Sequence, residues 1–566
     1  MGSGFSRAGA ILIVCFYLVF VFWTSFVVSG TALQDPDTCW LLATGREIVQ
    51  TGKIPDKDPF SHSLEKTESR FVPYQWLSEA ALFSIYRGYE KLVCRSDYSV
   101  EKSGVNSRLA SAFKERLKSH LSEGSEFGLD AGLPDPAAVS LLALSALLVV
   151  LSFIVIPVFF PPGGKHSPIT SLAMVVVGSS AASFHYYLRP EIFSYFYLAI
   201  FLAIVNHMRL VSTYEGRGIR DFRLHLGGLL VLSVLWANSH SGFVCGIIFL
   251  VVLVLMESIK GNTVSLRLSA SALAVFLAGT FVTPFGIGLY QYLPHLFFAD
   301  SNSLIEELGP LAPSDYLTAS FLPFLILIFL VAGLCGHCLI RGGIALIRPV
   351  LLSLVIVLLA LPVGMFCRRL IPFSSLVMIF EVIYLFAYLK AYILEPSKPV
   401  FVKEMSEKLY RFFKYRWLST SVSLVIVLLS AFLQCRMFIP SIPQVSTGFA
   451  PPLTAVAYIQ ENKPRGRLFN DPQFGDILLW HLYPCPPLFV DTRFDVYGSK
   501  IVIDSWKIES GLDGWERLLE QYKIDWIFVP AQSMLAHKLE QAEGWKQSFK
   551  DGLAVIYERR TAEAVK

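Results

Sequence analysis

Asp35-Pro36-Asp37-Thr38-Cys39-Trp40 sets two carboxylates and an indole where an apolar run gives way to polar sequence. A Trp suits that depth, because its ring is apolar and its N–H stays wet. Carboxylates there could be plain solvated loop charges, or the acid/base apparatus of an enzyme working at a membrane face. Other ionisable and polar groups stand beside apolar runs further along: Asp58, Glu79, Arg189, Asn238, His240, Glu306, Glu307, Arg368 and Arg369. Such groups are costly next to lipid and are functional candidates by default. The pair Asp491 and Arg493 adds a last candidate, at the end of an apolar stretch in the C-terminal part. Two such residues can equally form a surface ion pair worth little.

The elements that must position these groups are mostly membrane helices. Of 566 residues, 54% are hydrophobic and 16% charged, which excludes an ordinary soluble domain. Apolar runs occur at 9–30, 138–160, 169–187, 191–211, 225–238, 241–258, 266–284, 319–340, 349–367, 370–394 and 417–437. The expectation is a mostly α, polytopic protein of about eleven spans, with the first run retained as a helix rather than cleaved. The net charge of +4 gives no case for nucleic acid. Nine scattered Cys make no disulfide framework.

Basic residues set the orientation. Lys165, Arg217, Arg220, Arg223, Lys260, Arg267, Arg341, Arg348 and the group from Lys398 to Arg416 fall in alternate connections. Those connections are cytoplasmic by the positive-inside rule. The N-terminus lies on the same side, and the last segment lies outside. This topology brings the unusual polar residues to one outer face.

Two units follow: residues 1–437 as the transmembrane unit, including an outer loop at 31–136, and 438–566 as an extracytoplasmic α/β domain. The outer loop carries short amphipathic helices near 41–48 and from Tyr74 to about Tyr89, suited to the interface plane. Residues 94–136 read as a polar insert. In the outer domain, strands are expected at 487–491 and 525–529, with a helix at about 512–523. Pro162-Gly163-Gly164-Lys165 lacks the leading glycine of a phosphate loop. Cys335-Gly336-His337-Cys338 lies in an apolar run without a βαβ context for redox work. His240 has no second His at ligand spacing and reads as a hydrogen-bonding group in the cavity or to a substrate.

The chain resembles the GT-C superfamily of integral-membrane glycosyltransferases, in a bacterial branch related to the protein O-mannosyltransferases and the lipid A aminoarabinose transferases. The pieces are Asp35-Pro36-Asp37 with Trp40, Asp58-Pro59-Phe60-Ser61, Trp76-Leu77-Ser78-Glu79, Leu188-Arg189-Pro190-Glu191, Trp236-Ala237-Asn238-Ser239-His240, Thr283-Pro284-Phe285-Gly286, Arg368-Arg369 and Asp491-Thr492-Arg493 with Asp495. The resemblance implies a sugar donor carried on a polyprenyl phosphate and inverting transfer outside the cytoplasm. It also implies a catalytic Asp at the start of the first outer loop, Asp37 with Asp35 as runner-up. Relatives often follow that Asp with Glu, where this chain has Thr38.

Chemistry suited to that activity assigns the remaining roles. Arg189, Arg368 and Arg369 are candidates for the donor phosphate, since guanidinium matches phosphate oxygens in pairs. Asp58, Glu79, Asn238, His240, Glu306, Glu307, Asp491 and Arg493 are candidates for binding sugar or acceptor. The acceptor is a glycan, lipid or protein hydroxyl, membrane lipid surrounds the chain, and the expected location is a bacterial inner membrane. No cofactor is required by the sequence, which leaves a divalent cation open. A polytopic transporter or lipid flippase, or a non-catalytic subunit of glycan assembly, is the competing reading. Against transport stand the absence of an internal repeat and the clustering of charge at one face.

Overall fold

The structure is a computed structural model describing residues 36–65, 71–100, 136–159, 168–214, 222–299, 305–318, 321–393, 451–482 and 484–560, with Val19, Val21 and Phe22. The expected spans at 9–30 and 417–437, Asp35, and the insert from 101 to 135 lie outside the described residues.

Two helices open the described chain, α1 (Pro36–Thr51) and α2 (Trp76–Val100). They pack closely because Gly45 has no side chain; a Cβ there would run into the Glu79 carbonyl. The bundle follows with α3 (Pro136–Val150), a π turn at Leu151–Val155, α4 (Ile156–Phe159), α5 (Pro168–Ala182), α6 (Glu191–Tyr214), α7 (Arg223–Ser239), α8 (Phe243–Lys260), α9 (Thr263–Thr280), α10 (Ile287–Phe298), α11 (Leu322–Phe366) and α12 (Ile371–Ile393). Among the described residues, three stretches are long and apolar enough to cross a membrane: Glu191–Leu210, Phe243–Lys260 and Thr263–Thr280. Shorter apolar helices run at Ser140–Val155, Met174–His185, Leu322–Gly333 and Leu351–Phe366. Phe153, Phe201, Trp236, Phe243 and Phe276 form the buried aromatic centre of the bundle.

Helix α11 is helical from Leu322 to Phe366, where the sequence reads as two spans joined by a basic connection. A straight helix would part its ends by roughly 60 Å. Yet a Cβ on Gly364 would meet the Phe324 ring at 2.7 Å. The run therefore folds back on itself, and its two arms correspond to the two expected spans. Deeper in the bundle, Arg209 pairs with Glu381 at 2.6 Å, bonds Asn206 at 2.6 Å and lies 3.8 Å over the Tyr384 ring. A charge buried among apolar helices needs partners of this kind.

The C-terminal region is an α/β layer: α13 (Leu453–Asn462), β1 (Arg467–Asn470), α14 (Pro472–His481), α15 (Phe494–Glu509), α16 (Trp515–Gln521), β2 (Ile524–Pro530), α17 (Met534–Leu539), β3 (Trp545–Lys550) and β4 (Ala554–Arg559). The sheet order is β1-β2-β4-β3, with β1 and β2 parallel and the other pairs antiparallel. Asp471 caps α14 by accepting from Phe474 N at 3.0 Å, and Pro472 follows it where a missing N–H costs nothing. The expected strand and helix at 525–529 and 512–523 are found as β2 and α16.

The stretch 487–491 is a correction: it joins no strand of that sheet. Leu488 forms a single bridge with Ser61, and its N–H and C=O bond Phe60 O and His62 N, each at 2.9 Å. Asn470 takes its neighbours, accepting from Phe489 N at 2.9 Å and donating to Val490 O at 2.6 Å. Side-chain bonds thus replace the ladder, although the residues are as buried as a central strand. The α1 region and the C-terminal layer consequently share one core, in which Cys39 and Ala43 of α1 cluster with Ile477 and Leu478 of α14. Arg46 of α1 completes the junction by donating to Leu479 O at 2.6 Å, a cation placed at the negative end of α14.

Candidate active site

Asp37 stands in the first turn of α1, where the helix N-terminus favours negative charge. Its Oδ1 accepts from Thr492 Oγ1 at 2.6 Å and from Trp40 Nε1 at 3.4 Å. Its Oδ2 lies 3.2 Å from Arg189 Nη2, and its side chain remains 21% exposed. Arg189 stands in the break between α5 and α6, 13% exposed, and its Nη1 reaches Glu307 Oε2 at 3.2 Å. His185 Nε2 lies 3.6 Å from the same oxygen. Burial alone would raise the Glu307 carboxyl; His185 and Arg189 beside it instead hold it well below the usual carboxylate range.

Thr492 also bonds Asp476, with Oγ1 2.8 Å from Asp476 Oδ2. Asp476 is completely buried. It sits in α14, directly after β1, at the carboxyl edge of the parallel strand pair, a common place for function in α/β layers. Sequence reading missed Asp476 and named Thr492 only as part of the Asp491-Thr492-Arg493 motif. The available signal was an acid on the apolar stripe made by Phe474, Ile477 and Leu478.

A second cluster adjoins the first. Glu191 opens α6, and Arg369 Nε donates to its Oε1 at 2.7 Å, with Nη2 on the same oxygen. His240, in the turn between α7 and α8, has Nε2 3.9 Å from that oxygen. Its Nδ1 accepts from Gly242 N at 3.0 Å, so a neutral ring carries its proton on Nε2, facing Glu191. Burial pushes His240 down to about 4, with Arg369 and His185 adding to it against the pull of Glu191. The imidazole is thus neutral at pH 7. Ser194 and Trp236 hold the ring from behind: Ser194 Oγ is 2.8 Å from Nδ1 and accepts from Trp236 Nε1 at 2.8 Å.

No protein-family profile matches the sequence, and no curated protein sequence matches it significantly. Solved structures that match the chain include two enzymes. The oligosaccharyltransferase of Archaeoglobus fulgidus, solved tethered to an acceptor peptide containing the NVT sequon, is 10% identical with a TM-score of 0.54, over 97% of this chain and 74% of that one. The mycobacterial arabinofuranosyltransferase AftD is 15% identical with a TM-score of 0.41, over 76% of this chain. This chain spans only 34% of AftD's length. The archaeal likeness, running nearly end to end, decides the matter. The chain shares the fold of that oligosaccharyltransferase. At this identity the likeness covers architecture, not substrate.

Within this fold the expected site residues divide. Asp37, Arg189, Glu307, His240 and Arg369 come together at one end of the bundle. Asp58, Asp491 and Arg493 form a separate knot. Arg493 grips Asp491 through Nε at 2.9 Å and Nη2 at 2.6 Å, while Nη1 lies 2.9 Å from Asp58. Tyr497 OH adds a bond to Asp491 at 2.7 Å and meets Ser61 at 2.6 Å. All three charged side chains are nearly inaccessible, which suits a latch between the Asp58 loop and the C-terminal layer better than contact with a sugar.

Asn238 is spent on structure too. It accepts from Trp76 Nε1 at 2.8 Å and donates to Val234 O and Val282 O, tying α2 to α7 and to the turn after α9. Arg368 reaches Asp315 at 3.1 Å and the Pro310 carbonyl at 3.3 Å, holding the 309–315 loop. Glu79 is 2% exposed, and among the described residues its Oε2 meets no partner. Burial pushes its carboxyl up to about 8, so it is neutral at pH 7. Glu306 lies in the short turn Glu306–Leu308, with its side chain outside the described residues. Among the described residues no group of three or more His, Cys, Asp and Glu side chains has the arrangement of a metal site. The space between Asp37 and Glu307 is taken by the Arg189 guanidinium.

Proposed function

We propose that the chain is a membrane glycosyltransferase of the bacterial inner membrane. It moves a sugar from a polyprenyl-phosphate carrier to an acceptor hydroxyl at the extracytoplasmic face, with inversion at the anomeric carbon. The observation that carries the reading is the Asp37 carboxylate, fixed on one oxygen by Thr492 and Trp40 and only partly covered, at the seam of bundle and outer domain. A base so held can take the acceptor's proton as the new C–O bond forms, an effect worth roughly 10²–10⁴-fold. The leaving phosphate gathers negative charge, and Arg189 and Arg369 are the cations beside Asp37 and Glu191 that can meet it. In that role the phosphate competes with Glu307 and Glu191 for the guanidinium groups. Arg189 turning toward phosphate releases Asp37 Oδ2 for the acceptor. Arg368 supports the neighbouring loop, and the Asp491–Arg493–Asp58 latch fixes the outer domain over the site.

The test uses purified full-length protein and a panel of polyprenyl-phosphate sugars. A ligand that binds the native state raises its thermal midpoint by mass action. One sugar lipid should do so, with Arg189→Ala or Arg369→Ala weakening the shift. Asp37→Asn should keep the shift and lose transfer. If no sugar lipid shifts the midpoint while a soluble solute does, the transferase reading fails and transport replaces it.

A further inference from the structure

Thr492 has one hydroxyl proton and two carboxyl neighbours. Its Oγ1 is 2.6 Å from Asp37 Oδ1 and 2.8 Å from Asp476 Oδ2. A hydroxyl donates to one acceptor only. The other short contact would set lone pairs against lone pairs unless that carboxyl brings a proton of its own. The three groups therefore hold one more proton than two ionised carboxylates and a threonine would.

The surroundings decide which acid keeps it. Asp37 faces the Arg189 guanidinium and is partly solvated. Asp476 is completely buried, and the charges acting on it are the carboxylates of Asp491 and Asp37. The one cation near Asp491, Arg493, is bound to Asp491 and Asp58.

We propose that Asp476 carries the proton of an Asp37–Thr492–Asp476 unit at neutral pH, donates it to Thr492 Oγ1, and so places the negative charge on Asp37. Thr492 and Asp476 are then positioning residues for the base. Burial above all, and then the neighbouring carboxylates, pushes the Asp476 carboxyl well above its usual range, in agreement with the geometry. During turnover Asp37 takes the acceptor's proton. The acceptor oxygen bonds the anomeric carbon, the carbon–oxygen bond to phosphate breaks, and its electron pair leaves with phosphate. The unit then holds two protons, and Asp37 returns one to solvent through its exposed side. The catalytic meaning of the unit rests on Asp37 being the base; the location of the proton does not.

Infrared difference spectroscopy on the purified full chain locates that proton without any substrate. Native protein minus Asp476→Asn should retain a protonated-carboxyl stretch above neutral pH, because other neutral acids such as Glu79 cancel. Thr492→Val should shift that stretch by removing the acceptor of its hydrogen bond, and Thr492→Ser should restore it. If Asp476→Asn fails to fold, the Thr492→Val shift and its rescue by Ser decide alone. An unchanged stretch in both Asp476→Asn and Thr492→Val overturns the proposal. Turnover retained by Asp37→Asn would overturn the base assignment instead, leaving the infrared result standing.

Discussion

The Arg189 guanidinium lies 3.2 Å from Asp37 and 3.2 Å from Glu307, joining the start of α1 to the turn Glu306–Leu308 through one side chain of the α5–α6 break. The proposed base is thereby held by a cation that the donor phosphate can draw away. Arg189→Lys keeps the charge but loses the planar fork that reaches two carboxylates. It should lower kcat/KM by roughly ten- to a hundredfold, the worth of one charge-assisted hydrogen bond. Steady-state transfer assays check it, and an unchanged kcat/KM would remove Arg189 from the mechanism.

Asp37→Asn should cut turnover by at least about a hundredfold, the lower range for a lost general base. The amide is the same shape and can still meet Thr492, so the thermal midpoint should hardly move. A large fall in midpoint together with activity would make Asp37 a structural residue.

Arg493→Ala should destabilise the protein by roughly 3–5 kcal/mol, because removing one partner strands two buried carboxylates, Asp58 and Asp491. The measurement is denaturant unfolding of the outer domain's tryptophans. Loss of activity without loss of stability would instead return Arg493 to a substrate-contacting role.

Glu79 predicts a pH dependence. Its folded carboxyl is raised from 4.5 to about 8 by burial, so the folded state binds the proton more tightly than the unfolded chain. Its stabilising contribution is full below the unfolded value and is lost as pH rises toward about 8. Glu79→Gln mimics the neutral acid and should flatten the fall in stability between about pH 4.5 and about pH 8, a fall of up to a few kcal/mol in the native protein. Equal slopes in both proteins would mean that Glu79 stays ionised.

Much of the helical layer and the face on which function gathers could be read from apolar run lengths and from the ionisable residues beside them. Arg189, His240 and Arg369 each stand in a break between helices, Glu307 stands in the short turn Glu306–Leu308, and the bundle brings them together. The latch was less legible. Asp491 and Arg493 look like solvent- or substrate-facing charges until Asp58, far away in sequence, is placed against them. Thr492 was named only as part of the Asp491-Thr492-Arg493 motif, and Asp476 was invisible for the same reason: what makes an acid unusual here is docking of α14 on α1, and no local period encodes that docking. The 487–491 stretch has strand composition, but Asn470 and the Phe60–His62 segment claim its backbone first.

The shared core of α1 and α14 gives the chain an order of assembly. Asp37 is made 455 residues before Thr492 during synthesis. A nascent chain can form its bundle helices long before Asp37 acquires the partners that orient it. Those bonds form only when the segment carrying α14 and Thr492 has been made and has docked on α1, so a polypeptide interrupted before that point leaves the Asp37 carboxylate unoriented.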